Sequence, residues 1–140
     1  MKIKIISYGH KFHEAEGKAP PEHDFLFSLR DLVNPYWVPE LKEFNGLDQE
    51  IIEFFEKDEG SQDRLEKINC LIKDFVEDFT SNKHRTDDCS LTFAFKCTGG
   101  KHRSVYFAQT IFDKLSPEIS DKVKVELEHI ELPRYIGSKC

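Results

Sequence analysis

Eight consecutive residues hold a thiol, two hydroxyls, two glycines and three basic side chains: Cys97, Thr98, Gly99, Gly100, Lys101, His102, Arg103 and Ser104. An apolar run from Leu91 to Cys97 leads into them, and an amphipathic stretch follows. The pattern predicts a strand, a short loop and a helix. A helix N-terminus offers unpaired backbone N–H groups and the positive end of the macrodipole. Glycines at 99 and 100 let an anion approach those donors closely. The planar guanidinium of Arg103 can grip two oxygens at once. Lys101 and His102 add charge, and Thr98 and Ser104 add hydroxyl donors. The expected chemistry is the binding of a phosphate dianion.

The spacing Cys97-x5-Arg103-Ser104 is also that of the cysteine phosphatase loop, C-x5-R-[ST], where a thiolate attacks phosphorus while the backbone and arginine hold the oxygens. A helix N-terminus lowers a thiol pKa and makes it nucleophilic. Those phosphatases usually carry His before the Cys, where this chain has Lys96. They also need a general acid; Asp31, Asp48 and Asp88 are candidates that nothing in the sequence ranks. In the plainest reading, Gly99-Gly100 is only a tight strand-to-helix turn. Anion binding without catalysis is the reading favoured, with a Cys97 and Arg103 phosphatase as the alternative.

Positioning these groups needs a scaffold. Residues 2–8 alternate Ile3 and Ile5 with Lys2 and Lys4 and predict a strand. Residues 9–23 are polar, with Gly17 and Pro20-Pro21, and predict a long loop. Residues 24–30 predict a second, largely buried strand. Asp48 offers an N-cap for a helix to about Lys57, which Gly60-Ser61 breaks. Residues 61–81 carry Leu65, Ile68, Leu71, Ile72, Phe75, Val76 and Phe79 at helical spacing. A polar loop spans 82–89. A strand over 90–96, a helix over 101–115 ended by Pro117, and a strand over 122–130 complete the order β-β-α-α-β-α-β. Strands separated by helices predict an α/β fold with a mixed, mainly parallel sheet and flanking helices, in one domain over 1–140. In such sheets ligands sit beyond the carboxyl ends of strands, and the glycine loop lies at one.

With 140 residues, 39% hydrophobic content and twelve Phe, the chain can fill a core. No apolar run approaches a membrane span and no signal peptide is legible, so a cytoplasmic protein without membrane partners is expected. Cys70, Cys89, Cys97 and Cys140 form no C-x-x-C pair, and reduced thiols are expected. Cys70 is assigned to the core and Cys140 to a fraying terminus. The net charge of −6 argues against broad nucleic-acid binding but leaves room for a local basic site.

The loop residues 97–104 and the following Val105 resemble the hallmark of the C-terminal domain of the RapZ family of RNase adapter proteins. Phe27-Ser28-Leu29-Arg30 and Asn34-Pro35-Tyr36-Trp37 look like that family's F-D-V-R-F-x-x-N-P-[YH]-W. Gly46-Leu47-Asp48 is similar to its T-G-L-D, Ser7-Tyr8-Gly9-His10-Lys11 to its opening [ST]-F-G-[FY]-K, and His129-Ile130-Glu131-Leu132 to its closing H-R-D-L. Ser28 replaces the family Asp, and Ile130 the family Arg. The resemblance implies a phosphate pocket at 97–104, with Lys11, Arg30, Asn34 and His129 on neighbouring strand ends. It implies a phosphosugar ligand of the glucosamine-6-phosphate type, contact with RNA, and partnership with a nuclease or a separate nucleotide-binding protein. The chain has no G-x-x-x-x-G-K-[ST], so the nucleotide binding of the family's N-terminal domain is not expected of it. It is read as a stand-alone C-terminal-like domain, and no cofactor is expected.

Three remaining groups carry weaker signals. His10, His13 and His23 lack a cysteine or carboxylate frame for metal and read as a solvated loop. Tyr36 and Trp37 beside proline either stack on a base or sugar, or pack their loop onto the core, the second being favoured. Glu126, Glu128 and Glu131 alternate with apolar residues, as in a charge-guarded edge strand.

Overall fold

The computed structural model describes residues 1–82, 86 and 88–136. Cys140 and part of the 82–89 loop lie outside them. Four strands, β1 (Lys2–Gly9), β2 (Phe25–Ser28), β3 (Ser90–Cys97) and β4 (Lys124–His129), form one sheet in the order β2-β3-β1-β4. Among the described residues every pairing is parallel, where a mixed, mainly parallel sheet was expected. The cause is that every connection carries at least one helix, which returns the chain to the end where it started. The helices are α1 (His10–Ala15), α2 (Gln49–Glu56), α3 (Glu59–Ser81), α4 (Arg103–Ile119) and α5 (Leu132–Ile136).

Two of these were invisible in the periodicity. α1 occupies part of the expected long loop; it is six residues long and buries none of them, so it has no apolar stripe to read. α5 has five residues with only Leu132 buried. The helix break expected at Gly60-Ser61 falls earlier. Asp58 caps α3, its Oδ2 accepting from the Ser61 amide at 2.9 Å and the Ser61 hydroxyl at 2.7 Å. Pro117 does not end α4. It lies in the last turn, where a missing N–H costs only one bond.

Side chains alternate faces along a strand. Ile3, Ile5, Phe93 and Phe95 are fully buried on one face, under Ile68, Ile72 and Val76 of α3 and Phe107 and Ile111 of α4. On the other face Ile6, Tyr8 and Ala94 form a smaller cluster with Leu26 and Ile130. The Tyr8 ring meets His13 of α1 edge-on at 5.1 Å, so α1 leaves β1 on this second side. Adjacent strands β1 and β3 therefore send their chains to opposite faces, and such a switch point opens a crevice beyond the carboxyl ends. Gly9 and Cys97 are paired there.

The edges are β2 and β4. β2 is shorter than expected, and Phe25, Leu26 and Phe27 are only partly buried because an edge strand has one open side. Cys70 is exposed, contrary to its assignment to the core. It sits two residues from both Ile68 and Ile72, hence on the far side of the helix. Cys70→Ser should change stability by less than about 0.5 kcal/mol, whereas Ile72→Ala should cost about 2–5 kcal/mol in urea denaturation. Equal costs would contradict this orientation of α3.

Candidate phosphate-binding cleft

The loop after β3 is held by close backbone contact. A Cβ on Gly9 would lie 2.6 Å from the Gly99 carbonyl carbon. Gly100 has a φ of 67°, and a Cβ there would meet Glu131 Cγ at 2.6 Å and the Gly9 nitrogen at 2.7 Å. The two loop glycines thus differ. Gly99 lines the cleft, but Gly100 faces inward and serves the turn rather than ligand approach. Three loop carbonyls accept from outside donors: Thr98 from the Lys11 amide at 3.1 Å, Gly99 from the Tyr135 hydroxyl at 2.7 Å, and Lys101 from the Gly46 amide at 2.8 Å. In a trans peptide the N–H points opposite to the C=O, so the amides of Gly99, Gly100 and His102 turn away from these donors.

A cleft of about 690 Å³ opens over this loop. Lys11, Arg30, Lys42, Lys101 and Arg103 line it, against Glu43 as the one carboxylate among the described residues. Five cations gather there on a chain of net charge −6.

Arg103 does more than its sequence position promised. It is 3% exposed. Its Nη1 donates to the carbonyls of Leu29, Arg30 and Leu32 at 3.3, 2.8 and 3.1 Å. Part of the expected anion fork thus clamps the segment after β2. Nη2 makes one long bond to Thr98 Oγ1 at 3.5 Å. Nε is buried and has no hydrogen-bond partner among the described residues. A buried donor without a partner is costly unless something fills the place. Burial also lowers the guanidinium's pKa, although arginine stays protonated in proteins.

His102 adds no charge, contrary to expectation. It is buried, and its Nε2–H donates to the Phe44 carbonyl at 2.6 Å. Burial pulls its pKa down to about 4, so it is neutral at pH 7. Lys101 Nζ donates to the Lys42 carbonyl at 2.9 Å and sits 5.0 Å from the centre of the Tyr135 ring. Cys97 is buried at the cleft floor. Its sulfur accepts from the Ser104 amide at 3.4 Å and pairs with the Ser104 hydroxyl at 3.2 Å. Ser104 is fully buried and does not line the cleft.

Of the neighbouring candidates, Lys11, Arg30 and Asn34 line the cleft. Arg30 Nε donates to Thr98 Oγ1 at 3.3 Å. Asn34 Oδ1 accepts from the Tyr36 amide at 3.1 Å and caps the short 3-10 turn Pro35–Trp37. His129 does not line the cleft. Its Nδ1 accepts from the Ser7 hydroxyl at 2.7 Å and its Nε2–H donates to Gln109 Oε1 at 3.1 Å, tying β4 to β1 and α4. Burial lowers its pKa to about 4.

Tyr36 and Trp37 also line the cleft. They are 45% and 77% exposed, so they do not pack onto the core as expected; Pro35 is the buried member of that turn. Tyr135 and Lys42 were missed. Both lie in short segments without periodicity, and neither carries a motif. Glu131 is 1% exposed rather than guarding an edge. It accepts from the Gly9 amide at 2.9 Å and Arg134 Nε at 2.8 Å, with His13 Nε2 at 3.4 Å. His10 pairs with Glu14 at 3.0 Å, and His23 with the Pro21 carbonyl at 2.7 Å. No group of three His, Cys, Asp or Glu that could hold a metal occurs among the described residues. The acids considered for phosphatase chemistry are engaged elsewhere. Asp31 pairs with Arg64, Asp48 accepts from the Asn45 amide, and Asp88 pairs with Thr86 before the far end of β3.

Fold and site together define a parallel α/β domain with a cationic cleft over a glycine loop at a helix N-terminus. Residues 1–133 match the model of the RapZ C-terminal domain, and the chain belongs to that family. It is 36% identical over 134 residues to a nucleotide-binding protein of Petrotoga mobilis, covering 96% of this chain and 42% of that protein. A nucleotide-binding protein of Shewanella oneidensis is 38% identical over 132 residues, 94% of this chain and 42% of the relative. One of Saccharopolyspora erythraea is 32% identical over 133 residues, 95% and 42%. The chain thus spans about two fifths of the length of these curated relatives. Among the described residues no helix is long and apolar enough to cross a membrane.

Because His102 is held neutral, stability is fully present above its unfolded pKa near 6.5 and is lost as pH falls toward its folded value of about 4. The loss should be on the order of 3 kcal/mol. His129 acts in the same direction. Urea denaturation at stepped pH should show this slope, and His102→Gln should flatten it. An unchanged slope in the variant would contradict a neutral His102.

Proposed function

We propose that this domain is a phosphate-recognising adapter or sensor module that holds a phosphorylated small molecule, a phosphosugar of the glucosamine-6-phosphate type, in the cleft. One observation carries the reading. The N-terminus of α4 and five cationic side chains, Lys11, Arg30, Lys42, Lys101 and Arg103, converge on one space of metabolite size. Family membership supports it. The relatives' nucleotide binding is a property named for longer proteins, and this chain lacks the G-x-x-x-x-G-K-[ST] that would cradle nucleotide phosphates. The domain acts in the cytoplasm with a nuclease or a separate nucleotide-binding protein. RNA phosphate is a second source of the same anion, distinguished by steep salt dependence.

A thermal-shift titration with inorganic phosphate, glucosamine-6-phosphate and other sugar phosphates tests the reading. A ligand at a hundred times its Kd stabilises by about 2.7 kcal/mol, so Tm should rise by several degrees. Lys101→Ala and Lys11→Ala should each weaken binding by about tenfold. Arg103→Ala is a poor probe, since it also removes three backbone tethers. If no phosphate raises Tm, the proposal fails.

One observation favours a second reading, a cysteine-dependent phosphatase: the Cys97 sulfur lies at the cleft floor and accepts from the Ser104 amide. Cys97→Ser should abolish hydrolysis of an aryl phosphate if this reading holds, and should spare binding if the domain is only a receptor.

A further inference from the structure

The cleft has two unlike kinds of lining. The glycine loop and Arg103 supply polar groups. Leu32, Val33, Tyr36 and Trp37 make an apolar and aromatic wall. Trp37 is 77% exposed, which leaves a large apolar surface in water. This exposure does not come from a loose segment. Asn34 Oδ1 caps the turn, the Trp37 amide donates to the Asn34 carbonyl at 3.1 Å, and the Val38 amide to the Pro35 carbonyl at 2.9 Å. Pro35 and Pro39 stiffen the turn, and Arg103 holds the root of the segment at Leu32. The Tyr36 ring stands edge-on to the indole at 5.1 Å and 87°, and Lys42 Nζ lies 4.7 Å from the centre of the Tyr36 ring. An aromatic face held rigid and left bare beside an anion pocket is preorganised for a ring.

We infer that Trp37 is a ring-stacking subsite, and that the ligand is a phosphate ester whose ring packs on the indole while its phosphate sits at the α4 N-terminus. The inference rests on the phosphate reading of the same cleft and deepens it. The cleft volume agrees, since about 690 Å³ far exceeds what a bare phosphate fills. A sugar phosphate and a nucleoside monophosphate both have this chemistry. An RNA strand would need a longer basic track than a chain of net charge −6 offers.

Trp37 is the chain's single tryptophan, so intrinsic indole fluorescence reports on this subsite alone. The probes are inorganic phosphate, glucosamine-6-phosphate, a nucleoside 5′-monophosphate and a short single-stranded RNA, with calorimetry for affinity. The ring-bearing phosphates should shift or quench the emission and bind at least about tenfold tighter than inorganic phosphate. Trp37→Ala should bring them down to the affinity of inorganic phosphate while leaving that affinity unchanged. Which of the two ring compounds responds more tells sugar from base. If both bind Trp37→Ala as tightly as wild type, the stacking subsite is overturned and the phosphate reading survives. If inorganic phosphate and the esters all fail to bind, both are overturned. Tight, salt-sensitive binding of the RNA alone would also overturn a small-molecule subsite.

Discussion

Backbone meets backbone where β1 and β3 end, and the cleft depends on that contact. No side chain fits between Gly9 and Gly99, nor between Gly100 and Glu131. The loop is therefore pressed onto the sheet end rather than standing free. Its carbonyls are drawn to Lys11, Gly46 and Tyr135 from three different parts of the chain. Fixed carbonyls imply fixed amides, and a fixed set of amides at a helix start is what distinguishes an anion site from an ordinary turn. Beneath it, the buried Glu131 carboxylate is satisfied by the Gly9 amide and Arg134. An apolar side chain in its place would leave the buried Gly9 amide without an acceptor.

Arg103 shows how one residue serves structure and site at once. A guanidinium has five N–H groups in a rigid fork. Here one nitrogen gathers three carbonyls from the segment after β2, which brings Arg30, Asn34 and Trp37 over the loop. Its Nη2 reaches Thr98 Oγ1 of the loop at 3.5 Å, so the same side chain also touches the glycine loop. Lysine cannot do both tasks, because its single ammonium cannot reach the three carbonyls and Thr98 Oγ1 from two separate nitrogens. His102 shows the reverse economy: a residue that looks like a charge is a neutral donor holding the Phe44 carbonyl.

The long elements were legible because their burial leaves a period. Ile68, Ile72 and Val76 mark α3, and the alternation of Ile3 and Ile5 marks β1. The loop at 97–104 was legible because its chemistry is concentrated in consecutive residues. α1 and α5 were not, since helices of one or two turns that bury almost nothing leave no pattern. Tyr135 went with α5. The roles of Tyr36, Trp37 and Glu131 were misjudged for a related reason. Sequence shows which residues are aromatic or acidic, but exposure is decided by neighbours far along the chain. Ser104 and His129 belong to the same class. Their types fit a ligand, yet Cys97 and Ser7 claim them.

β1 lies inside the sheet, and its residues 2–9 pair with residues 90–97 on one side, while residues 2–7 pair with 124–129 on the other. No stretch of local sequence can build this arrangement. The strand that supplies Gly9 waits on partners made much later in the chain, and such distant pairing is what slows folding. The cleft is therefore a property of the finished sheet and not of the loop that names it. A peptide spanning the loop and α4 carries only Lys101 and Arg103 of the five cleft cations, and none of the surface that orders them. In this domain the cationic cleft exists only when the whole sheet has closed.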